Sequence, residues 1–141
     1  MAGKTFQEIY CWQQVVGDLK IFLASTEKGG KKIWLSLQKI ENPLDFFTQR
    51  LPEKKVILDR RANLPLIRAV SLCLENRRIK SFPLLDSFFT PFQTRVYNTI
   101  SQIPFGKTRQ YGEVALMAGS PGGARAVGQA MKRNPFPIIF P

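Results

Sequence analysis

Apolar and polar positions alternate over the first third of this 141-residue chain and then recur at helical intervals. Ile9 to Val16 (IYCWQQVV) is rich in β-branched and aromatic residues. Gly17-Asp18 is a turn signal, and Leu19 to Ala24 (LKIFLA) resumes the alternation, which predicts a β-hairpin. Lys28-Gly29-Gly30-Lys31 reads as a second turn, its lysines at a solvated tip. Beyond it Ile33, Leu35 and Leu37 fall on one side with Trp34 between them, extending the hairpin to a three-stranded meander. Val56 to Leu58 is a further short strand.

The helical stretches carry their own punctuation. Asn42-Pro43 opens a short helix through Phe46, Phe47 and Arg50, with proline where its missing N–H costs little, and Leu51-Pro52 closes it. Asn63 reads as the cap of a helix from Leu64 to Asn76 bearing Leu66, Ile67, Val70, Leu72 and Leu74. Thr90 or Pro91 starts TPFQTRVYNTISQI, where Phe92, Val96, Ile100 and Ile103 share one face. Tyr111 to Ala118 (YGEVALMA) has apolar residues at 111, 114, 115 and 118, and Ala124, Ala126, Val127, Ala130 and Met131 lie on helical spacing. Ser120, Pro121 and the glycine pair supply the turn between these two helices, Gly128 permits close approach to another surface, and Asn134-Pro135 stops the second helix. Two short helices around such a turn predict a helix-turn-helix. The apolar run PFPIIFP that follows reads as strand-like.

Strands with helices come first and helices follow, so the fold class is α+β, with a boundary near Asp86 in SFPLLDSFF separating residues 1–85 from 86–141. Composition narrows the partner. Lys and Arg number 21 against 10 acidic residues, a net charge of +11 that suits a polyanion such as nucleic acid. The excess is spread, +7 over residues 1–85 and +4 over 86–141, so no single basic tail accounts for it. The Arg60-Arg61 and Arg77-Arg78 pairs flank helix ends, where solvated charge is ordinary. Cys11 and Cys73 lie far apart without the spacing of a zinc site or redox pair, and each reads as a small core hydrophobe. No signal peptide or run of about 20 apolar residues appears, which points to a soluble protein of a reducing compartment, cytoplasmic, or nuclear if eukaryotic.

FGKTRQYGEVALMAG followed by ARAVGQAMKRNPFPIIFP closely resembles the DNA-binding domain of the O6-alkylguanine-DNA alkyltransferases, the methylated-DNA-protein-cysteine methyltransferases, over roughly Pro91 to Pro141. The resemblance implies an N-terminal ribonuclease H-like domain of a small sheet with helices, then a winged-helix-type helix-turn-helix. It implies DNA repair by direct, single-turnover transfer of the alkyl group from O6-alkylguanine, and O4-alkylthymine, to a protein cysteine after base flipping. The partner would be double-stranded DNA docked through its minor groove, with no cofactor or metal, and the complete protein a monomer.

Residue by residue, Arg125 matches the family's arginine finger, which fills the place of the flipped nucleotide, although an exposed helix arginine on a phosphate is the plainer reading. Tyr111 matches the tyrosine that crowds the phosphate 3′ to the target, against a core tyrosine of its helix. Ala124, Ala126 and Gly128 match the small positions that let the recognition helix sit in a minor groove, and Lys132 and Arg133 would meet phosphates. Arg133 departs from relatives with glycine before the Asn-Pro pair. Met131 matches a wall beside the alkyl pocket or is a core methionine. Asn134 matches the hinge asparagine whose side chain bonds backbone on either side of its turn.

In the family, the Asn-Pro segment runs into Pro-Cys-His-Arg, whose cysteine is the nucleophile. That cysteine would follow Pro141, and the sequence holds no histidine. The 141 residues therefore read as the front of an alkyltransferase, with no catalytic residue present and no dealkylation expected. On the same reading the apolar face around Ile138, Ile139 and Phe140 would be exposed and prone to aggregate. The alternative is a non-enzymatic alkyltransferase-like protein that binds DNA lesions. A helix-turn-helix transcription factor is a third class, and the small residues of its recognition helix argue against it.

Overall fold

The computed structural model describes residues 3–77, 79, 83 and 85–141, and within them the predicted hairpin grows into a four-stranded sheet. Strands β1 (Glu8–Val16), β2 (Leu19–Thr26) and β3 (Gly29–Ser36) form an antiparallel meander. After helix α1 (Pro43–Arg50), strand β4 (Lys55–Leu58) joins β1 in parallel, giving the order β3-β2-β1-β4. Then come α2 (Leu64–Leu74), α3 (Pro91–Ser101), α4 (Tyr111–Met117) and α5 (Ala124–Lys132). The α+β class and the helix-turn-helix pair follow the sequence reading. No helix among the described residues is long and apolar enough to cross a membrane.

The sheet is covered on both faces, and β2 shows why. Its residues from Ile21 to Thr26 are all buried, because alternate side chains enter two different cores. Phe22 and Ala24 join Ile9 and Cys11 against α1, where the Phe22 and Phe46 rings stack at 3.7 Å and Phe47 meets Phe22 edge-on. Ile21 and Leu23 face the other way. With Ile33 they meet Leu66 and Val70 of α2 and a cluster that continues through Val96, Tyr97 and Ile100 of α3, Val114 and Ala115 of α4, and Val127 and Ala130 of α5. One hydrophobic core therefore runs across the predicted boundary at Asp86. Asp86 is itself tied to the sheet, its N–H donating to Gly30 O at 2.7 Å and its carboxylate accepting from the Thr26 hydroxyl.

Several local expectations need correction. The second turn is Glu27-Lys28, and Gly29 and Gly30 already belong to β3. Gly30 is required there by packing, since a Cβ would lie 2.6 Å from Leu66 Cδ2. Leu35, on the same side of β3 as buried Ile33, and Leu37, just past the end of the strand, are exposed. Asn63 caps nothing through its side chain. It ends a short 3-10 turn (Arg61–Asn63) and is fully buried, accepting from Ser25 Oγ at 2.8 Å and donating to the carbonyls of Asp59 and Tyr10 at 2.9 and 3.1 Å. Helix α2 ends at Leu74, two residues early, with Asn76 turned into the left-handed region (φ 56°) and Leu74 exposed. Arg78 and most of the boundary stretch, Ser81, Phe82 and Leu84, lie outside the described residues.

The largest correction concerns residues 135–141, which form no strand. Pro137 to Ile139 make a turn, Ile138 adopts φ 76°, and Phe140 N–H returns to Phe136 O at 3.0 Å. Two prolines two residues apart remove backbone donors that a ladder needs, which overrides the β propensity of the intervening Phe and Ile residues. The apolar face expected to be exposed is largely inside. Ile139 and Phe140 are buried with Phe136, and the Phe140 ring stacks on Tyr97 at 5.0 Å. Pro135 O also accepts the Ile33 N–H at 2.8 Å, so this segment lies along the outer edge of β3.

Candidate nucleic-acid interface

Each helix of the C-terminal half is started or stopped by local chemistry. Thr90 and Gln93 form a reciprocal capping box on α3 (3.1 and 3.0 Å), and Glu113 accepts the Gln110 N–H at 2.8 Å at the start of α4. Two contacts absent from the sequence reading fix α4 and α5 against α3. Arg95 Nε donates to Ala118 O at 3.0 Å where α4 ends, and the buried Tyr97 hydroxyl donates to Ala130 O at 2.7 Å near the end of α5. Tyr97 was legible in principle, since it sits beside Val96 and three residues before Ile100 on the buried face. Arg95 carried no such signal.

Helix α5 buries only Val127 and Ala130 and leaves the rest of its surface open. Arg125 and Ala126 are exposed, Ala124 and Gly128 half-buried, and Lys132 and Arg133 exposed at its C-terminal end. Arg125 has no hydrogen bond or ion pair among the described residues. Tyr111 is half-exposed at the first position of α4, which sets aside the core reading. Its ring edge lies where a Cβ on Gly128 would meet it at 3.4 Å, so the surface that Gly128 allows to approach is this aromatic ring. The sequence-predicted Tyr111 and Gly128 are thus brought together, with Ala124 one turn before Gly128 on the same side of α5 and Ala126 exposed on another side.

Behind that face lies a cleft of about 590 Å³, lined by Tyr111, Val114, Met131, Ile138 and Cys73 among others. Met131 is half-buried and reaches both the cleft and the core. Asn134 lies outside the cleft lining and makes a two-way bridge. Its Nδ2 donates to Phe140 O at 2.6 Å and its Oδ1 accepts the Phe136 N–H at 2.9 Å, clamping the turn that follows α5. Lys107 and Arg109 stand exposed on the rim.

The two thiols are poor nucleophiles. Cys11 is fully buried beneath α1, and burial pushes its thiol up to about 12. Cys73 differs from its expected core position, being half-buried and bordering the cleft, yet burial raises its pKa as well. Among the described residues burial alone shifts either thiol, and in both it disfavours the thiolate.

Comparison with known proteins gives this geometry its context. Residues 91–141 match the family model described as 6-O-methylguanine DNA methyltransferase, DNA binding domain. The methylated-DNA–protein-cysteine methyltransferase of Mycobacterium leprae is 54% identical over 57 residues, 40% of this chain but only 34% of the relative's length. The chain thus spans about a third of that relative in the match. The inducible enzyme of the same name from Bacillus subtilis is 30% identical over 125 residues, covering 88% of this chain and 69% of its own length. Among solved structures, Mycobacterium tuberculosis O6-methylguanine methyltransferase superposes with a TM-score of 0.66 at 27% identity, over 94% of this chain and 75% of the other. Mycobacterium tuberculosis OGT in complex with DNA gives 0.64 at 27% identity, over 95% and 74%. The alignment with the Bacillus subtilis relative reaches into the sheet as well as the helices, and the chain belongs to the methylated-DNA–protein-cysteine methyltransferase family.

Proposed function

We propose that this chain recognises O6-alkylguanine in double-stranded DNA, docking α5 in the minor groove and rotating the damaged nucleotide toward the cleft behind Tyr111. The observation that carries this reading is the open face formed by Tyr111 over Gly128, with unpaired Arg125 one helical turn away and a 590 Å³ cleft behind it. In a stacked duplex the O6-alkyl carbon lies in the major groove, out of reach of a protein docked in the minor groove, so extrusion must precede any chemistry. Small residues at 124, 126 and 128 let the helix backbone come close to the groove. The Arg125 guanidinium is planar, able to stack in the vacated place and donate to the orphaned base. The rigid Tyr111 ring presses the phosphate 3′ to the target, Lys132 and Arg133 neutralise flanking phosphates, and Met131 forms the apolar wall beside the alkyl group. Asn134 holds the segment after α5 in register with that wall. In this reading residues 86–141 are the DNA-engaging unit and residues 1–85 its support.

Alkyl transfer needs a thiolate: the S–C bond forms as the O6–C bond breaks, and guanine leaves with the electron pair and takes up a proton. Cys11 and Cys73, both raised by burial, are unsuited to it, so these 141 residues perform recognition and flipping without acting as the alkyl acceptor. The same observation favours lesion binding without transfer as the second reading of the chain.

Intact mass and fluorescence anisotropy with an O6-methylguanine duplex test this together. The 16.1 kDa chain should bind the lesion duplex in preference to the undamaged one with no gain in mass. Arg125→Ala should weaken lesion binding about ten-fold or more, the scale of roughly 1.4 kcal/mol, while leaving the thermal midpoint unchanged. Addition of one methyl group at Cys73 or Cys11 overturns the assignment of the thiols, and equal affinity for both duplexes overturns the lesion reading.

A further inference from the structure

We propose that α2 carries a second DNA contact, a basic track that follows the phosphate backbone away from the recognition helix; the inference rests on the DNA-docking reading above. A shallow depression along α2 is lined by Arg60, Leu64, Arg68, Ser71, Glu75 and Arg77. Arg77 also lines the cleft behind Tyr111, whose rim bears Lys107 and Arg109, so the two concave surfaces meet at one arginine. Five exposed cations thus run in sequence from the rim of the helix-turn-helix to the start of α2.

Their counter-charges are sparse. Arg60, Arg68, Lys107 and Arg109 make no ion pair among the described residues. Glu75, the acid within the depression, pairs with Arg77 at 3.6 Å with both side chains largely exposed, an arrangement that neutralises little. Asp59, next to Arg60, is turned inward to accept the Ala62 N–H at 3.0 Å. Arginines over an apolar floor of Leu64 and Leu72 focus a positive potential that water screens less than on a convex surface. Arg60, ahead of the 3-10 turn, and Arg68, in α2, line the same depression. The sign fits a duplex backbone, and the junction at Arg77 makes the track continuous with the docking face.

Duplex length separates this contact from the recognition helix. Salt titrations of binding to duplexes of about 12 and about 24 base pairs would be compared for the wild-type chain, R60A/R68A and R60K/R68K. On the longer duplex, R60A/R68A should lower the slope of log K against log salt by about 1.8, because each released phosphate contact contributes about 0.9. R60K/R68K should keep the wild-type slope, and on the shorter duplex all three should coincide. Equal slopes for wild type and R60A/R68A on the longer duplex overturn the track while leaving the recognition helix intact. If Arg125→Ala binds both duplexes like wild type while R60A/R68A loses slope, the track stands and the docking reading of α5 fails. A wild-type chain that binds neither duplex overturns both.

Discussion

Strand β2 and helix α5 have nearly the same length and opposite economies of burial. Six consecutive residues of β2 are buried, four of them packed alternately into two cores and Ser25 and Thr26 hydrogen-bonded to Asn63 and Asp86, whereas α5 buries Val127 and Ala130 and little else. The residues with candidate chemistry, Arg125, Tyr111 and Gly128, all lie on the thinly packed side. Where packing is dense the chain stores stability, and where it is spare its side chains stay open to solvent, within reach of the proposed DNA partner. Substitutions in the two regions should therefore separate, one set changing folding and the other binding.

The sharpest break in that contrast would come from Phe22, wedged between Phe46 and Phe47. Phe22→Ala should cost about 3–5 kcal/mol in urea denaturation, the usual range for deleting a buried aromatic ring. A loss under 1 kcal/mol would show that β2 is not the stability store. The two bridging asparagines give a finer test. Asn63 is fully buried with three partners, and Asn63→Ala should cost about 2–4 kcal/mol. Asn134 is half-buried with two, and Asn134→Ala should cost about 1–2 kcal/mol while weakening lesion-duplex binding more than Asn63→Ala does. A further test concerns pH, where the effect is absent at neutrality. Cys11, held at about 12 when folded, ionises near its ordinary value once unfolded, so the unfolded chain loses its proton first. Stability should be unaffected below that ordinary value and decline from about pH 9 to 12. Tyr97, also raised by burial, adds to the decline, and Cys11→Ala should flatten part of it in pH-resolved melts.

What could be read from the sequence was what local rules decide. The hairpin, the Asn42 cap of α1, the Thr90 start of α3 and the two helices of the turn motif all follow from period, proline placement and capping chemistry. The errors arise where a distant partner overrides a local signal. Asn63 looked like a cap because asparagine before a helix usually is one, yet Ser25, 38 residues away, and two backbone carbonyls claim its side chain. Residues 136–140 looked like a strand because their side chains favour one, while Asn134 and Tyr97 hold them in a buried turn. In the candidate site, Tyr111, Arg125 and Gly128 were legible through family resemblance. Of the cations beside α2, Arg60 and Arg77 were read as members of solvated pairs at helix ends and Arg68 was not singled out, since nothing in their spacing reveals that Arg77 joins two depressions.

The hydrogen bond from Ile33 N–H to Pro135 O has a consequence for the solution behaviour of the chain. Strand β3 is the rim of the sheet, and a bare rim is a template for pairing with another molecule's strand. Here Asp86 covers it near Gly30 and Pro135 covers it at Ile33, so the chain guards its own rim with one residue ahead of α3 and one just after α5. Loosening the Asn134 clamp should free Pro135 from Ile33 and leave that stretch of the rim open to pairing with a second chain, while the cover at Gly30 stays in place.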